Sequence, residues 1–281
     1  MTKKHNSSTC PLGLSFILMF ALVIPLSRAD EISEKGRDVF KKNQHSVVTV
    51  QIVVKSKFSM GGMGGQANET RQDVTGTLID TAGLTVLSLA ATDPGQMVQN
   101  MMSGSDDDSK FKIETELSDV KILLEDGTEI PAEVVLRDKD LDLAFVRPKA
   151  KITAELTPLD LTQSAKVGML DQVIALNRLG NAAGRAYAAS VERISAIVER
   201  PRLFYVPETS FTTTALGAPA FTLDGKVVGL FVMRALKGRS GGGGMMGMQA
   251  GNITGIILPA DDIIKAAKQV PAPADQKKDQ P

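Results

Sequence analysis

The chain has 281 residues, with 32 basic and 32 acidic side chains and a formal net charge of zero. This balance leaves no basic excess for nucleic acid or for an acidic membrane surface, so we expect neither as a partner. A single cysteine, Cys10, excludes an internal disulfide, and the length allows one or two domains large enough to fold without one.

Residues 1–29 have the layout of a secretory signal peptide. They begin with two lysines, continue with an apolar run over 12–26 and end in small residues before Ala29. The run is shorter than the roughly 20 residues of a spanning helix, and Pro25 interrupts it. We therefore expect cleavage after Ala29 and a secreted or periplasmic chain without a membrane span. Cleavage removes three basic residues and no acidic one, which changes the net charge from 0 to about −3.

The first half of the remaining chain changes from a helical to a strand pattern. Residues 31–43 place Ile32, Val39 and Phe40 among charges, which predicts a short amphipathic helix. From Ser46 onward, β-branched and alternating residues predict strands, and Gly- and Asp-rich turn signals separate them. The strands expected here are 46–55, 74–80, 84–89, 119–124, 130–136 and 143–147.

A connector at 149–162 precedes a second run of strands. These are expected at 172–177, 188–198, 210–214, 227–233 and 253–258. Residues 261–269 predict a closing helix, and the polar tail 271–281 is expected to be disordered. Two runs of short strands joined by a linker indicate an all-β protein of two barrels. We assign 31–150 to the first barrel with its leading helix and 151–270 to the second with its closing helix.

Three segments are unusual in composition, because they combine methionine with glycine or with acidic residues: 59–71, 96–110 and 238–252. The simplest interpretation is flexible surface loops with adaptable apolar contacts. An alternative is a thioether site for Cu(I), the ion that such soft ligands select. No histidine or cysteine accompanies these methionines, so we expect no metal and no cofactor.

Six short motifs occur in order along the chain: 76–90, 120–135, 138–144, 179–184, 215–225 and 251–259. The third reads D-K-D-L-D-L-A and the fifth A-L-G-A-P-A-F-T-L-D-G. Together they resemble the trypsin-like serine proteases, and in particular the bacterial HtrA branch, with its D-x-x-x-D-L-A and S-G-G-P-L-V-x-L-D-G motifs. The resemblance implies two Greek-key β-barrels packed against each other. In that branch a PDZ-like domain usually follows the barrels, but only about a dozen residues follow the predicted closing helix here, so we expect no such domain.

The family cleaves peptide bonds with a Ser-His-Asp triad. The resemblance assigns its aspartate to Asp142, its histidine to Ala90 and its serine to Leu216, and it implies a shortened oxyanion loop before Ala215. Alanine cannot take a proton and leucine cannot attack a carbonyl, and losing either Ser or His costs roughly a millionfold in rate. We therefore expect no catalytic residue and an inactive pseudoprotease. Without a histidine to orient, Asp142 is expected to cap a turn by accepting backbone N–H bonds.

A retained fold without catalysis favours a binding function. The resemblance places one strand near the substrate groove, and an extended peptide or protein partner could pair with its residues Ile253, Thr254, Gly255 and Ile256.

Two alternatives remain open. A serine-type endopeptidase or other hydrolase could use Ser88, Ser210 or a threonine of 212–214 as a non-standard nucleophile. It would lack a base, because the only histidine after the signal, His45, lies 45 residues before Ala90 and is expected at the surface. The other alternative is a structural envelope protein that associates through its Met/Gly-rich loops. The sequence does not indicate an oligomeric state.

Overall fold

The fold was analysed in a computed structural model that describes residues 27–60, 63–92, 111–208, 215–235 and 253–272. Its helices and strands are α1 (Ser27–Asn43), β1 (Val47–Met60), β2 (Met63–Leu78), β3 (Thr85–Ser88), β4 (Phe111–Leu123), β5 (Glu129–Asp138), β6 (Leu143–Pro148), β7 (Gln172–Arg178), β8 (Tyr187–Val198), β9 (Phe204–Pro207), β10 (Pro219–Thr222), β11 (Val227–Ala235), β12 (Ile253–Pro259) and α2 (Ala260–Ala267). The expected signal peptide up to residue 26, the strand 210–214, the segments 96–110 and 238–252 and the tail from 273 lie outside the described residues.

The strands form two closed antiparallel barrels with the same topology. The first has the strand order β1-β2-β3-β6-β5-β4, and the second has β7-β8-β9-β12-β11-β10. Each strand of the second barrel thus occupies the place of the strand six earlier in the first. The all-β fold of two trypsin-like barrels with short helices at either end, predicted from the sequence, is confirmed.

One prediction about local structure was wrong. Residues 59–71 were expected to form a flexible loop, but β1 and β2 extend through most of this segment as a hairpin, with Met60 opposite Met63. The strand pattern of β1 continues to its end because β4 pairs along its other side as far as Phe111. Because β1 is held on both sides, it can in turn hold the glycine-containing start of β2 in strand form, although glycine disfavours it intrinsically.

Two strands of the second barrel were not predicted. β9 and β10 each have four residues and contain a proline, Pro207 and Pro219. Proline lowers the strand signal of so short a segment, because it cannot donate to the ladder. These strands are nevertheless largely buried, since β9 pairs with β8 and β10 pairs with β7 and β11.

The largest hydrophobic cluster lies at the junction of the barrels. Val86 and Phe145 of the first barrel, Leu176 and Phe221 of the second and Leu159 of the linker belong to it, and all are at most 6% exposed. β3 contributes side chains to two clusters: Val86 packs in the cluster at the junction, and Leu87 packs in the cluster of the first barrel. All four residues of β3 are therefore buried.

Polar groups of β2 also contribute to the junction. Asp73, Thr75 and Thr77 alternate with residues directed into the first barrel, so their side chains face the second. The Arg185 Nε lies 2.7 Å from Asp73 Oδ2, and Thr77 Oγ1 donates to the Gly217 carbonyl oxygen at 2.9 Å. Thr75 Oγ1 accepts a hydrogen bond from the backbone N–H of Arg178, the last residue of β7, at 3.2 Å.

The terminal helices also hold the barrels together. α1 precedes the first barrel but packs on the second, where Val39 is buried and the Phe40 ring meets the Tyr187 ring edge-on at 5.9 Å. α2 follows β12 directly and buries Ile263 and Ala266 in the cluster at the junction.

Candidate functional site

Asp142 lies in the turn between β5 and β6, at the junction of the two barrels. Asp138 shapes this turn, since its Oδ1 accepts bonds from the N–H groups of Asp140 and Leu141 at 3.0 Å each. Asp142 has a φ of 57°, in the left-handed region that aspartate occupies more readily than most residues. The turn directs the Asp142 carboxyl group toward β3 and β11.

Three hydrogen-bond donors surround this carboxyl group. Oδ2 accepts bonds from Ser88 Oγ at 2.5 Å and from the Met233 N–H at 2.8 Å. Oδ1 accepts a bond from the Ala90 N–H at 2.8 Å. Asp142 therefore accepts backbone N–H bonds, as expected, but from chain segments remote in sequence instead of from its own turn. Because Met233 belongs to the second barrel, these bonds also join the barrels.

Burial governs the charge of this group. It raises the pKa of Asp142 from its usual 3.8 to about 6, and the bonds from Ser88, Met233 and Ala90 oppose the rise without cancelling it. Near neutral pH the carboxylate is ionised, and its three donors then stabilise the charge.

Leu216, the residue that the resemblance assigns to the nucleophile, is buried. It is 2% exposed and, although it belongs to the second barrel, it packs in the hydrophobic cluster of the first together with Leu87 and Leu89. Ala90 follows Leu89 directly, and its N–H bonds to Asp142. The structure thus brings the three positions predicted from the sequence to one junction.

Gly217 explains why the chain comes so close to the first barrel here. Its φ is 89°, and a Cβ at this position would collide with the Thr75 carbonyl oxygen. Its N–H donates to the Phe231 carbonyl at 2.7 Å, and its own carbonyl accepts from Thr77. Only glycine combines this backbone conformation with this approach, so Leu216 is fixed against the first barrel.

Residues Ile253, Thr254, Gly255 and Ile256 lie in the first half of β12. On one side they pair with β11 in continuous register. On the other side, within the described part of the chain, pairing with β9 is confined to Ile257 and Tyr205. Thr254 and Gly255 are partly exposed.

His45 has a structural partner away from Asp142. Its Nδ1 lies 3.1 Å from Glu125 Oε2, and both side chains are about half exposed. The same oxygen accepts a bond from the Tyr187 hydroxyl at 3.2 Å. His45 therefore connects the end of α1 to both barrels. In the described ranges no group of three or more histidine or acidic side chains is placed to hold a metal ion.

Sequence reasoning missed one member of the site and misread another. The Met233 N–H could not be predicted as a partner of Asp142 from the sequence, because every residue except proline has a backbone N–H. Ser88 was considered only as a nucleophile, whereas its hydroxyl is the side-chain partner of Asp142. The short separation of Ser88 from Ala90 in the sequence was the available hint.

The family model of the trypsin-like peptidase domain matches residues 41–230, which are 190 of the 281 residues. The chain belongs to this family. Its trypsin-like peptidase domain includes β1 to β11 up to Leu230, and thus Ala90, Asp142 and Leu216, but not β12. No helix among the described residues is long and apolar enough to cross a membrane.

Comparison with curated proteins gives no match. Among solved structures, the domain is similar to the apo form of the MamO protease domain from Magnetospirillum magneticum. That protein is 17% identical, and the alignment covers 80% of this chain and 97% of that one with a TM-score of 0.49.

Proposed function

We propose that this trypsin-like domain has lost peptide-bond hydrolysis and binds an extended peptide or protein segment. The proposal depends on one observation above all: both carboxylate oxygens of Asp142 accept hydrogen bonds, from the Ser88 hydroxyl and from the Ala90 and Met233 N–H groups. In a working triad one of these acceptors holds the base.

The absence of a base follows from the residue at position 90. A general base must come within hydrogen-bond reach of the nucleophile's proton. Ala90 contributes a backbone N–H to this site and its side chain is a methyl group. His45 is engaged with Glu125 through Nδ1. We therefore infer that the triad has degenerated.

The nucleophile position supports the same inference. Leu216 fills part of the core of the first barrel. A reactive group has to approach a substrate carbonyl to about 3 Å in a suitable orientation, and this position is 2% exposed.

A hydrolase that uses Ser88 is the second candidate, because Ser88 Oγ lies 2.5 Å from a carboxylate with a raised pKa. Against it, Ser88 is fully buried within β3. A fluorophosphonate probe, mapped by mass spectrometry in the wild type and in Ser88→Ala, decides between the two. We expect no label on either protein. Labelling of Ser88, or of Ser210 or residues 212–214 outside the described residues, would refute the loss of catalysis.

The side of β12 that faces away from β11, where pairing within the described residues is confined to Ile257, supports the binding function. The Phe231 carbonyl accepts a bond from the Gly217 N–H at 2.7 Å, and the Phe231 N–H donates to the Ala218 carbonyl at 2.9 Å, directly before β10. Phe231 lies opposite Ile257 of β12. In an antiparallel ladder such groups alternate in direction. The N–H and C=O groups of Ile257 and of Gly255 therefore point away from β11. Ile257 is paired with Tyr205 of β9 on that side, whereas a peptide strand could pair with Gly255.

Gly255→Pro tests this site with a matched control, Gly255→Ala. Proline removes one outward N–H without removing a bond to β11, whereas alanine retains the N–H. We expect selection from a library of displayed extended peptides to give binders of the wild type and of Gly255→Ala. These binders should lose at least tenfold in affinity with Gly255→Pro at unchanged melting temperature. Equal affinities for all three proteins would refute pairing at β12.

We also propose that the protein is exported and belongs to the HtrA branch of the family. The motifs and the signal-like residues 1–29 support this. Expression in a bacterial host with an envelope, followed by intact-mass measurement, should give a chain that begins at Asp30. A chain that keeps residues 1–29 would contradict export by cleavage.

A further inference from the structure

Arg234 lies beside the strand to which we assign peptide binding. It belongs to β11 and is paired with Thr254 of β12, so the two side chains are on the same face of the sheet. The next pair on this face, Val232 and Ile256, packs in the cluster at the junction of the barrels. Arg234 itself is partly exposed. It therefore lies where the junction meets solvent.

The Arg234 side chain reaches across β12. Its Cζ atom lies 4.8 Å from the centre of the Phe204 ring. Phe204 belongs to β9, which borders β12 on the side opposite to β11. The guanidinium group is therefore on the side of β12 toward which Gly255 directs its N–H and C=O groups.

The contact with Phe204 orients the guanidinium group and leaves its donors free. A guanidinium stacked on a ring is attracted to the ring face and presents its N–H groups at its own edge. Among the described residues, Arg234 takes part in no ion pair and its guanidinium donates no hydrogen bond. Arg185, in contrast, is bound to Asp73 at 2.7 Å. An acceptor from another molecule would satisfy the Arg234 donors.

A second stacked arginine shows that accessibility distinguishes this position. The Arg178 Cζ lies 4.1 Å from the centre of the Tyr187 ring, but Arg178 is 7% exposed. A bound segment cannot reach a guanidinium that is covered in this way. Arg234 combines a fixed orientation, free donors and access from solvent.

We propose that the segment bound at β12 carries an aspartate or glutamate whose carboxylate pairs with Arg234. This inference rests on the proposed binding function, and it names the chemical class of the bound segment. A segment that pairs with Gly255 adds a strand about 4.8 Å from β12, and its side chains alternate between the two faces of the sheet. Those on the face of Thr254 come within reach of the guanidinium. A carboxylate there can accept two parallel N–H bonds, the geometry that a planar guanidinium favours.

Selection from a library of displayed extended peptides tests the preference. We expect binders of the wild type to be enriched in aspartate or glutamate at one position, relative to the unselected library. Arg234→Gln keeps a polar amide but removes the charge, so its binders should lack this enrichment. Arg202→Gln removes the same charge from an exposed position two residues before Phe204, and its binders should keep the enrichment.

A double-mutant cycle then tests the pair itself. An acidic peptide from the selection is synthesised with an amidated C-terminus, together with its analogue in which glutamine or asparagine replaces the acidic residue. We expect Arg234→Gln and the peptide substitution each to lower affinity about tenfold, and the two together to lower it little further. If Arg234→Gln melts earlier than the wild type, Arg234→Lys replaces it. Lysine lacks the planar fork, so this variant should also weaken the acidic peptide more than its analogue.

The outcomes separate this inference from the proposed function. Binders without acidic enrichment, or additive losses in the cycle, would overturn the pairing with Arg234 and leave peptide binding at β12 intact. An equal loss with Arg202→Gln would also overturn it, because the effect would then be long-range attraction. Loss of binding on amidation would assign the carboxylate to a chain terminus instead of a side chain. A selection that yields no binders at all would refute the binding function and this inference together.

Discussion

Asp142 has a structural role that is independent of any reaction. Its carboxylate is held by Ser88 and by two backbone N–H groups that only this arrangement of barrels brings together. Removing it would leave the Met233 and Ala90 N–H groups without an acceptor, and a buried donor without a partner is costly. Retention of the aspartate therefore needs no catalytic explanation.

The raised pKa of Asp142 makes stability depend on pH. Between about pH 4 and 6 the folded chain keeps a proton that the unfolded chain has released, so the free energy of unfolding falls as pH rises through this window. Asp142→Asn does not titrate. We expect the difference in unfolding free energy, variant minus wild type, to increase by about 2 kcal/mol from pH 4 to 7.5 in urea titrations. A difference independent of pH would show that the pKa of Asp142 is not raised in the folded chain.

Leu216 should behave as a core residue. Leu216→Ser would create a cavity and bury a hydroxyl group, and we expect it to lower the free energy of unfolding by about 2 to 4 kcal/mol. The control Leu216→Met conserves volume and should cost less than about 1.5 kcal/mol. Chemical denaturation measures both. If serine is tolerated as well as methionine, the position is not part of the core.

Among the strands, β2 shows what an alternating pattern does and does not determine. A strand was predicted from residue 74 onward, and the alternation of Asp73, Thr75 and Thr77 with apolar residues and glycine gives it one polar face, but the sequence pattern does not tell what covers that face. Here the cover is the second barrel, so Thr75 and Thr77 are fully buried. The sequence pattern alone suggests a face exposed to solvent, whereas in the structure this face forms the interface with the second barrel.

Two substitutions of Arg185 can separate the backbone strain at this residue from its electrostatic attraction to Asp73. The Asp73 side chain is 7% exposed, and Arg185 has a left-handed φ of 55°. Arg185→Ala should cost about 3 kcal/mol, because a nearly buried carboxylate loses its charged partner and keeps only the bond from Gln51 Nε2. Arg185→Gly loses the same partner but relieves the backbone, so it should be about 1 kcal/mol more stable than Arg185→Ala in thermal denaturation. Equal stabilities would mean that the turn is not strained.

The limits of prediction at the element scale have physical causes. Long alternating strands such as β1 and β8 were predicted within a few residues where packing agrees with propensity. β9 and β10 were missed because four residues with a proline carry too little pattern. The partners of Asp142 were missed for another reason: Ser88 and Met233 lie 54 and 91 residues away in sequence. Local sequence does not encode such pairings without the fold.

At the scale of the whole molecule, we expect the two barrels to unfold as one cooperative unit. The cluster at their junction draws residues from both barrels, the linker and both helices. Neither barrel could separate without exposing this cluster and breaking the bonds of Thr77 and Asp142.

The composition offers a convenient test of this cooperativity. The chain has no tryptophan and two tyrosines, Tyr187 and Tyr205, both in the second barrel. Tyrosine fluorescence therefore reports on the second barrel, whereas far-UV circular dichroism reports on both. We expect the two signals to give one urea transition with the same midpoint. Separate midpoints would show that the barrels unfold independently.

The position of α1 has a consequence for the order of folding. This helix is the first described element of the chain, yet Phe40 packs on Tyr187, which lies 147 residues later. A ribosome or a translocation pore delivers α1 long before its docking surface exists. Contacts of such sequence separation form late, because the chain entropy of closing the loop is lost before they stabilise anything. We therefore expect α1 to dock late in folding, after the strands of the second barrel that carry Tyr187 have formed.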